Sequence, residues 1–178
     1  MENYNSTPAP KWPGEKSPVV QWFDYDCGAA AVRTILGLVG RQDPPHEALM
    51  RVLGTNPEYG TPSRNIAHFL EGEGIDLIEI HGSSVEDMRG LTDRGWVCLV
   101  AFQANGSEED YENRESGHYS VVWATDKNYV WMADPAVEES EWGWGINRED
   151  REDFERRWID EDGEGLLYYR WMLAARVK

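Results

Sequence analysis

The residues best suited to covalent chemistry in this sequence lie near its start, around Cys27. Cys27 opens a run of small and apolar residues that ends near Gly40 and is typical of a buried helix. A helix N-terminus offers unpaired backbone N–H groups and the positive end of the helix dipole, which favour a thiolate there. Gln21 lies upstream in the sequence, where its side-chain amide can help to stabilise an oxyanion. Taken alone, a free cysteine is more often a small buried hydrophobic residue.

A nucleophilic thiol needs a base that accepts its proton and a group that orients the base. The sequence contains four histidines. His46 starts a helix after two prolines, His68 lies in the middle of a helix, and His81 follows a strand. None of these three has an acidic partner placed by local geometry, so each is interpreted as a solvated or packing residue.

His118 differs because it begins one arm of a predicted hairpin, and Asp134 ends the other arm. The arms are His118–Ala124 and Tyr129–Ala133, with a turn near residues 126 and 127 that places His118 opposite residue 134 or 135. Side chains directly opposite each other have Cβ atoms about 4.5–5.5 Å apart. The hairpin therefore predicts a histidine–aspartate pair, although each residue by itself reads as an ordinary loop or turn residue.

The elements that position these residues follow the order of helices first and strands second, which predicts an α+β fold with an antiparallel sheet. Further helices are predicted from Pro44–Pro45 to Gly54, after Ser63 and after Ser84. Strands are predicted at 75–80 and 96–102, with Cys98 as an inert core thiol inside the second. An acidic loop at 103–117, a helix at 148–158 and a closing strand at 166–177 complete the prediction.

The composition predicts one domain and limits its partners. Residues 1–18 are rich in Pro, Ser and Asn and predict a flexible or surface-draped tail, and residues 19–178 are predicted to form a single domain. A net charge of −16 argues against nucleic acid. With no long apolar run and no secretory signal, the sequence predicts a cytoplasmic protein that does not enter a membrane. Two cysteines make neither a disulfide framework nor a four-ligand metal site, so no metal or cofactor is expected.

The ordered set of motifs resembles a known family. Gln21, the Cys27-Gly28 helix start, GTPSRNIAHFL at 60–70 and GHYSVVWATDKNYVWMADP at 117–135 occur in the order found in papain-like bacteriocin-processing peptidases. These are the double-glycine leader peptidases and their stand-alone relatives, and the resemblance covers about residues 19 to 135. It implies a papain-like α+β fold with Cys27 as nucleophile, His118 as general base, Asp134 as its orienting partner and Gln21 in the oxyanion hole.

The function implied by this resemblance is hydrolysis of a peptide or other amide bond through an acyl-thioester. Two alternatives stay open: an acyltransferase that uses the same residues, and a non-catalytic module that binds a peptide or protein. The excess of acidic residues is best explained by an ordinary solvated surface. Adaptation to high salt and binding of a basic partner are the alternative interpretations. The acidic 103–117 segment is then a candidate cover for the cleft or a receptor for a basic peptide.

Weaker features are interpreted structurally. Asp24 and Asp26 flank the cysteine with negative charge that opposes a thiolate. Trp142 and Trp144 fit core or lid packing better than a substrate groove. The run of acids at 160–164 is expected to be a solvated turn rather than a calcium site, because it lacks the length of a calcium loop.

Overall fold

A six-stranded antiparallel sheet separates two hydrophobic layers in the computed structural model, which describes residues 8–105, 107–114, 116–161 and 165–177. The helices are α1 (Cys27–Leu38), α2 (His46–Leu53), α3 (Ser63–Gly72), α4 (Val85–Thr92), α5 (Glu108–Asn113) and α6 (Arg151–Arg157). The strands are β1 (Leu77–Ile80), β2 (Trp96–Gln103), β3 (Gly117–Thr125), β4 (Tyr129–Ala133), β5 (Glu139–Ser140), β6 (Gly143–Trp144), β7 (Ile146–Asp150), β8 (Ile159–Glu161), β9 (Leu167–Tyr169) and β10 (Met172–Arg176). The main sheet has the order β1-β10-β2-β3-β4-β7.

The central strand β2 is apolar along nearly its whole length because helices cover both faces of the sheet. Side chains alternate between the faces of a strand. Leu99 therefore joins the layer packed against α1, α2 and α3. Its neighbours Cys98 and Val100 join the second layer, which includes residues of α4 and α6. The predicted α+β fold is confirmed, and Cys98 is fully buried in the core as expected.

Helix α4 begins where the local sequence predicts, directly after Ser84. Ser84 accepts a hydrogen bond from the backbone N–H of Asp87, whose carboxylate in turn accepts one from the backbone N–H of Ser84. This reciprocal capping box satisfies two backbone donors at the start of the helix. The prediction of a helix capped by Ser84 is confirmed.

The prediction of a helix over 148–158 is wrong for its first part. Residues Ile146–Asp150 form β7, which pairs with β4 along the edge of the main sheet. Arg148 lies opposite Trp131 and places its guanidinium 3.9 Å from the centre of the Tyr129 ring. The helix begins only after Asp150, whose carboxylate caps the N–H groups of the next turn. Pairing with an open sheet edge has outweighed the local helical preference of this acidic segment.

Two other segments also differ from their predictions. The acidic loop predicted at 103–117 contains the short helix α5. The closing strand predicted at 166–177 is divided at Arg170, which has a φ of 47°. Its first part, β9, pairs with β8, and its second part, β10, lies inside the main sheet. The break allows one segment of chain to serve two sheets.

The chain ahead of α1 contacts the domain at several points. Trp12 packs edge-to-face on Trp123, with 5.0 Å between the ring centres, and its indole N–H donates to the carbonyl of Lys16. The backbone N–H of Val19 donates to Thr34 Oγ1 at 2.9 Å. Residues 1–7 of the predicted tail and residues 162–164 of the predicted acidic turn lie outside the described residues. No helix in the described ranges is both long and apolar enough to cross a membrane.

Candidate active site

Cys27 is the first residue of α1 and is buried, with 8% of its surface exposed. The following residue, Gly28, lies directly against Thr61 in the segment that leads into α3. A Cβ atom at Gly28 would lie 2.6 Å from the Cβ atom of Thr61, a distance that side chains do not tolerate. Glycine therefore permits the close approach of the helix start and this segment.

A buried carboxylate holds the turn that leads into the cysteine. Asp26 is fully buried and accepts hydrogen bonds from the backbone N–H groups of Trp22 and Phe23 at 3.2 Å. His46 Nε2 lies 2.6 Å from Asp26 Oδ2, and neither side chain is exposed. His46, interpreted from the sequence as a solvated or packing residue, is a buried one, and its acidic partner is supplied by a tertiary contact because α2 carries it onto the turn. Asp26 is likewise occupied by these partners rather than left as an unpaired charge beside Cys27.

The start of α1 keeps its backbone donors available. Asp26 occupies the N-cap position but makes no side-chain capping hydrogen bond, because its carboxylate is committed to the preceding turn. The first N–H groups of a helix have no partner within the helix. Gln21 is tied to the same region through its own N–H, which donates to the carbonyl of Pro135 at 2.9 Å. Its side-chain oxygen is buried without a hydrogen-bond partner among the described residues.

His118 and Asp134 form a buried pair at the ends of β3 and β4, with 2.7 Å between His118 Nε2 and Asp134 Oδ1. The predicted register was wrong. Val121 pairs with Ala133, which places Asp134 level with Ser120, two residues beyond His118 along β3. Residues two apart on a strand point to the same face, so His118 reaches Asp134 diagonally across the hairpin. The pairing of Thr125 with Val130 places the turn further along the chain than predicted, and the irregularity between Val122 and Ala124 removes only one residue of this offset.

The electrostatics of His118 favour its protonated form. Burial lowers the pKa of His118, but hydrogen bonds to Asp134 and to Cys27 outweigh it and raise the pKa to about 10. Burial also acts to raise the pKa of Asp134, yet the contact with His118 holds it below its usual value. The raised pKa of His118 and the lowered pKa of Asp134 are those of a hydrogen-bonded ion pair, and this pair lies beside the Cys27 thiol.

Asp134 is fixed by two further donors. The backbone N–H of Ala136 donates to Asp134 Oδ1 at 2.9 Å, and Asn147 Nδ2 donates to Oδ2 at 3.1 Å. Asn147 also donates to Glu149 Oε1 at 3.0 Å, and Glu149 accepts from Arg157. Sequence reasoning missed Asn147, because its contact with Asp134 depends on the pairing of β7 with β4.

A cleft of about 420 Å³ lies beside Cys27. Residues of several segments line it: Tyr25 precedes α1, Thr61 precedes α3, and Asn113 ends α5. Tyr119 lines it from β3, and burial raises the pKa of its hydroxyl above the usual value. The cleft thus lies between the helical half and the sheet, with the acidic 103–117 segment contributing part of its wall.

Asp160 lies in the wall of this cleft and corrects the expectation of a solvated acidic turn. It belongs to β8 and is only 8% exposed. Its Oδ1 accepts hydrogen bonds from Gln103 Nε2 at 3.0 Å and from the backbone N–H of Glu161 at 2.9 Å. Burial raises the pKa of Asp160 to about 7.

The remaining candidates lie away from the cleft. Burial raises the pKa of the Cys98 thiol to about 12, as suits a core cysteine. Trp142 packs edge-to-face on Trp131 at 5.8 Å, while Trp144 is half exposed on the small β5–β6 hairpin. Within the described ranges, no group of three or more His, Cys, Asp or Glu side chains is arranged to hold a metal ion.

Comparison with known proteins identifies the class. A sequence model of the peptidase C39 family matches residues 15–161, which is most of the chain. The protein belongs to the peptidase C39 family and is a cysteine-type peptidase with a papain-like fold. A search of curated protein sequences finds no match.

Solved structures of similar fold come from the same class. A C39-like peptidase from Bacillus anthracis has a TM-score of 0.66 at 15% identity, covering 92% of this chain and 96% of its own. The peptidase domain of Streptococcus ComA, a bifunctional ABC transporter of a quorum-sensing pathway, has a TM-score of 0.65 at 18% identity, with coverage of 90% and 97%. A double-glycine-motif protease from a transporter, solved with its leader peptide, has a TM-score of 0.62 at 17% identity, with coverage of 93% and 94%.

Proposed function

We propose that the protein cleaves a peptide or other amide bond through an acyl-thioester on Cys27. His118 acts as the general base, Asp134 orients it, and Gln21 with the Cys27 backbone N–H stabilises the oxyanion. The observation that carries this proposal is the position of His118, which is hydrogen-bonded to Asp134 through Nε2 and lies near enough to Cys27 for the thiol to raise the pKa of His118. With Nε2 engaged by Asp134, Nδ1 is the ring nitrogen left for the thiol.

The first half of the reaction forms the acyl-enzyme. His118 holds the proton of the Cys27 thiol as an imidazolium, and the thiolate sulfur attacks the carbonyl carbon of the scissile amide. A C–S bond forms, and the carbonyl oxygen becomes an oxyanion that accepts hydrogen bonds from the backbone N–H of Cys27 and the amide of Gln21. Collapse of this intermediate breaks the C–N bond, and the amine leaves with the proton that His118 returns.

The second half releases the product. Water attacks the thioester carbon while His118 accepts a proton from it. The new oxyanion uses the same donors, and its collapse breaks the C–S bond to give a carboxylic acid and the free cysteine. Asp134 keeps the imidazole in one orientation throughout, held in turn by Ala136 and Asn147.

A peptide is the substrate that best fits this site. The similar double-glycine-motif protease was solved with a leader peptide, which makes a peptide the natural ligand to test here. The cleft beside Cys27 is open to solvent and large enough for a few residues of extended chain. A buried small-molecule pocket would instead enclose most of its ligand.

Selective alkylation tests the proposed nucleophile. Treating the native protein with iodoacetamide near neutral pH and mapping the adducts by mass spectrometry compares Cys27 with Cys98, which serves as the internal control. We expect Cys27 to react about 100 times faster or more, because Cys98 is buried and almost entirely protonated. His118→Ala should slow the reaction at Cys27 and leave Cys98 unchanged. Equal resistance of the two thiols would overturn the proposal.

Product analysis separates hydrolysis from the remaining alternatives. A peptide mixture incubated with the enzyme should yield free carboxylic acids in water alone. Added amine or thiol acceptors should not divert most of the product into new amides or thioesters, which an acyltransferase would form. A Cys27→Ala variant should lose this activity completely, whereas full retention of the biological activity by that variant would indicate a binding module.

A further inference from the structure

A buried carboxylate in the wall of the cleft takes no part in the proposed chemistry. Asp160 is 8% exposed, and both hydrogen bonds to its Oδ1 come from neutral donors, the Gln103 amide and the backbone N–H of Glu161. A carboxylate removed from water is costly unless it is paired with a positive charge. The described residues supply Asp160 with no ion pair. Its charge is thus compensated only in part.

Asp160 lies next to the reacting groups. Its carboxylate packs against Gly117, the residue immediately before His118 in β3. A Cβ atom at Gly117 would lie 2.4 Å from Asp160 Oδ1, so only glycine allows this approach. A ligand group that reaches Asp160 from the cleft therefore lies within a residue or two of the bond positioned at Cys27.

The described charges near the cleft compensate Asp160 only in part. The positive charge of His118 acts to lower the pKa of Asp160, but burial outweighs it. Arg114 lines the cleft, but its guanidinium Nε is 2.7 Å from Glu161 Oε2, so these two charges largely cancel. Asp24 and Glu58 add negative charge elsewhere in the lining. The described lining carries more negative than positive charge, so a cationic group entering the cleft is attracted and an anionic group is repelled.

We infer that Asp160 forms a subsite that binds a cationic side chain of the substrate, lysine or arginine, beside the scissile bond. The inference rests on the proposed function, because it takes Cys27 as the reacting residue. A bound ammonium or guanidinium would supply the charged hydrogen bond that Asp160 lacks. A neutral side chain in the same position would leave the carboxylate unpaired, and this difference creates selectivity.

Small thiol reagents of different charge test the subsite without a known substrate. Methanethiosulfonate reagents bearing an aminoethyl, a methyl or a sulfonatoethyl group are cationic, neutral and anionic, respectively. In each case the Cys27 thiolate attacks the sulfenyl sulfur, a disulfide forms, and the S–S bond of the reagent breaks to release methanesulfinate. The ratio of cationic to neutral rate constants at Cys27, divided by the same ratio for free cysteine, measures the local preference for a cation.

Asp160→Asn removes the charge and retains an oxygen for Gln103 and Glu161. At about pH 8 and fixed ionic strength, we expect the cation preference at Cys27 to fall about five- to tenfold, with the neutral rate changed less than about twofold. Asp93→Asn, an exposed acid at the end of α4 outside the cleft, is the matched control and should leave the ratio unchanged. Thermal unfolding of both variants checks that the fold is intact.

The outcomes distinguish the two levels of the proposal. An unchanged ratio in Asp160→Asn, or an equal fall in Asp93→Asn, would overturn the subsite and leave Cys27 as nucleophile. Failure of the neutral reagent to modify Cys27 would overturn the proposed function itself. Protection experiments on the unaltered protein provide a second test: acetyl-arginine amide should slow the neutral reagent more than acetyl-norleucine amide. Equal protection by the two amides would also overturn the subsite.

Discussion

At the scale of single residues, two buried aspartate–histidine pairs occur among the described residues, in different settings. Asp26 and His46 are both fully buried, and the carboxylate also accepts two backbone hydrogen bonds, so this pair fixes the turn before Cys27. Asp134 and His118 end at the cleft, and His118 has a further contact with the thiol. The first pair is suited to stabilising the turn, whereas the second leaves one side of its histidine toward Cys27, the proposed nucleophile.

The protonation of His118 provides a prediction at this scale. Removing the negative charge of Asp134 with Asp134→Asn should lower the pKa of His118 from about 10 by about 1 to 3 pH units, because an opposite charge favours the protonated imidazole. Imidazole signals of the labelled protein followed by NMR across the alkaline range measure this midpoint. The exposed His68 is an internal reference.

The raised pKa of His118 also makes the stability of the protein depend on pH. The pKa of His118 in the folded protein lies above its ordinary value of 6.5, so its contribution to stability is complete below about pH 6.5. This contribution is lost as the pH rises toward about 10. Alkaline destabilisation should therefore be smaller in Asp134→Asn than in the unaltered protein. An unchanged His118 midpoint in that variant would contradict the assigned role of Asp134.

At the scale of elements, the site depends on where α1 begins and how closely it packs. Gly28 lets the first turn of α1 lie against Thr61, while Gly37 in the same helix is exposed and has no atom near the position of a Cβ. The two glycines have the same intrinsic cost in a helix, which makes them a matched pair. Any difference between their alanine variants therefore reports the contact rather than helix propensity.

We expect the two alanine variants to change stability in opposite directions. Gly28→Ala should lower the free energy of unfolding by about 1–3 kcal/mol, because the added methyl group would force Thr61 and its segment to move. Gly37→Ala should raise it by up to about 1 kcal/mol through helix propensity alone. Urea denaturation measures both values. Equal effects of the two substitutions would show that the start of α1 is not closely packed.

At the scale of the whole molecule, the excess of acids is the dominant electrostatic property. The chain has 33 acidic and 17 basic residues, so many carboxylates have no basic partner available. Some arginines are committed to specific pairs, such as Arg33 with Asp43 and Arg151 with Glu86, each at 2.6 Å. The remaining like charges repel one another across the folded surface, and folding brings them closer together.

Added salt should therefore stabilise the protein. Screening of the repulsion between carboxylates should raise the thermal midpoint by a few degrees between about 0.02 M and 0.3 M NaCl, because the screening length falls well below typical charge separations. Differential scanning calorimetry at neutral pH measures the shift. NaCl is preferred to sulfate, because sulfate also stabilises proteins through its exclusion from the protein surface. A fall in the midpoint over this range would mean that attractive ion pairs outweigh the net repulsion.

Local sequence determined the elements whose signals are short-range. The Cys27 helix, the Ser84 cap and the apolar β2 strand could each be predicted because capping and burial patterns depend on neighbouring residues. The hairpin from His118 to Asp134 was predicted for the same reason. The resemblance to a known family indicated that these elements belong to one papain-like fold. The exact register was not predictable, since the turn lies further along the chain than its residue types indicate and an irregularity between β3 and β4 shifts the pairing back by one residue.

Only the tertiary structure decided which distant residues share an environment. His46 meets Asp26, and Asp160 enters the cleft, through contacts between elements far apart in sequence. The start of β7 was misassigned because its pairing partner, the open edge of β4, exists only in the folded sheet. Burial of a charged group is likewise a property of the surrounding elements, and no local pattern of residue types records it.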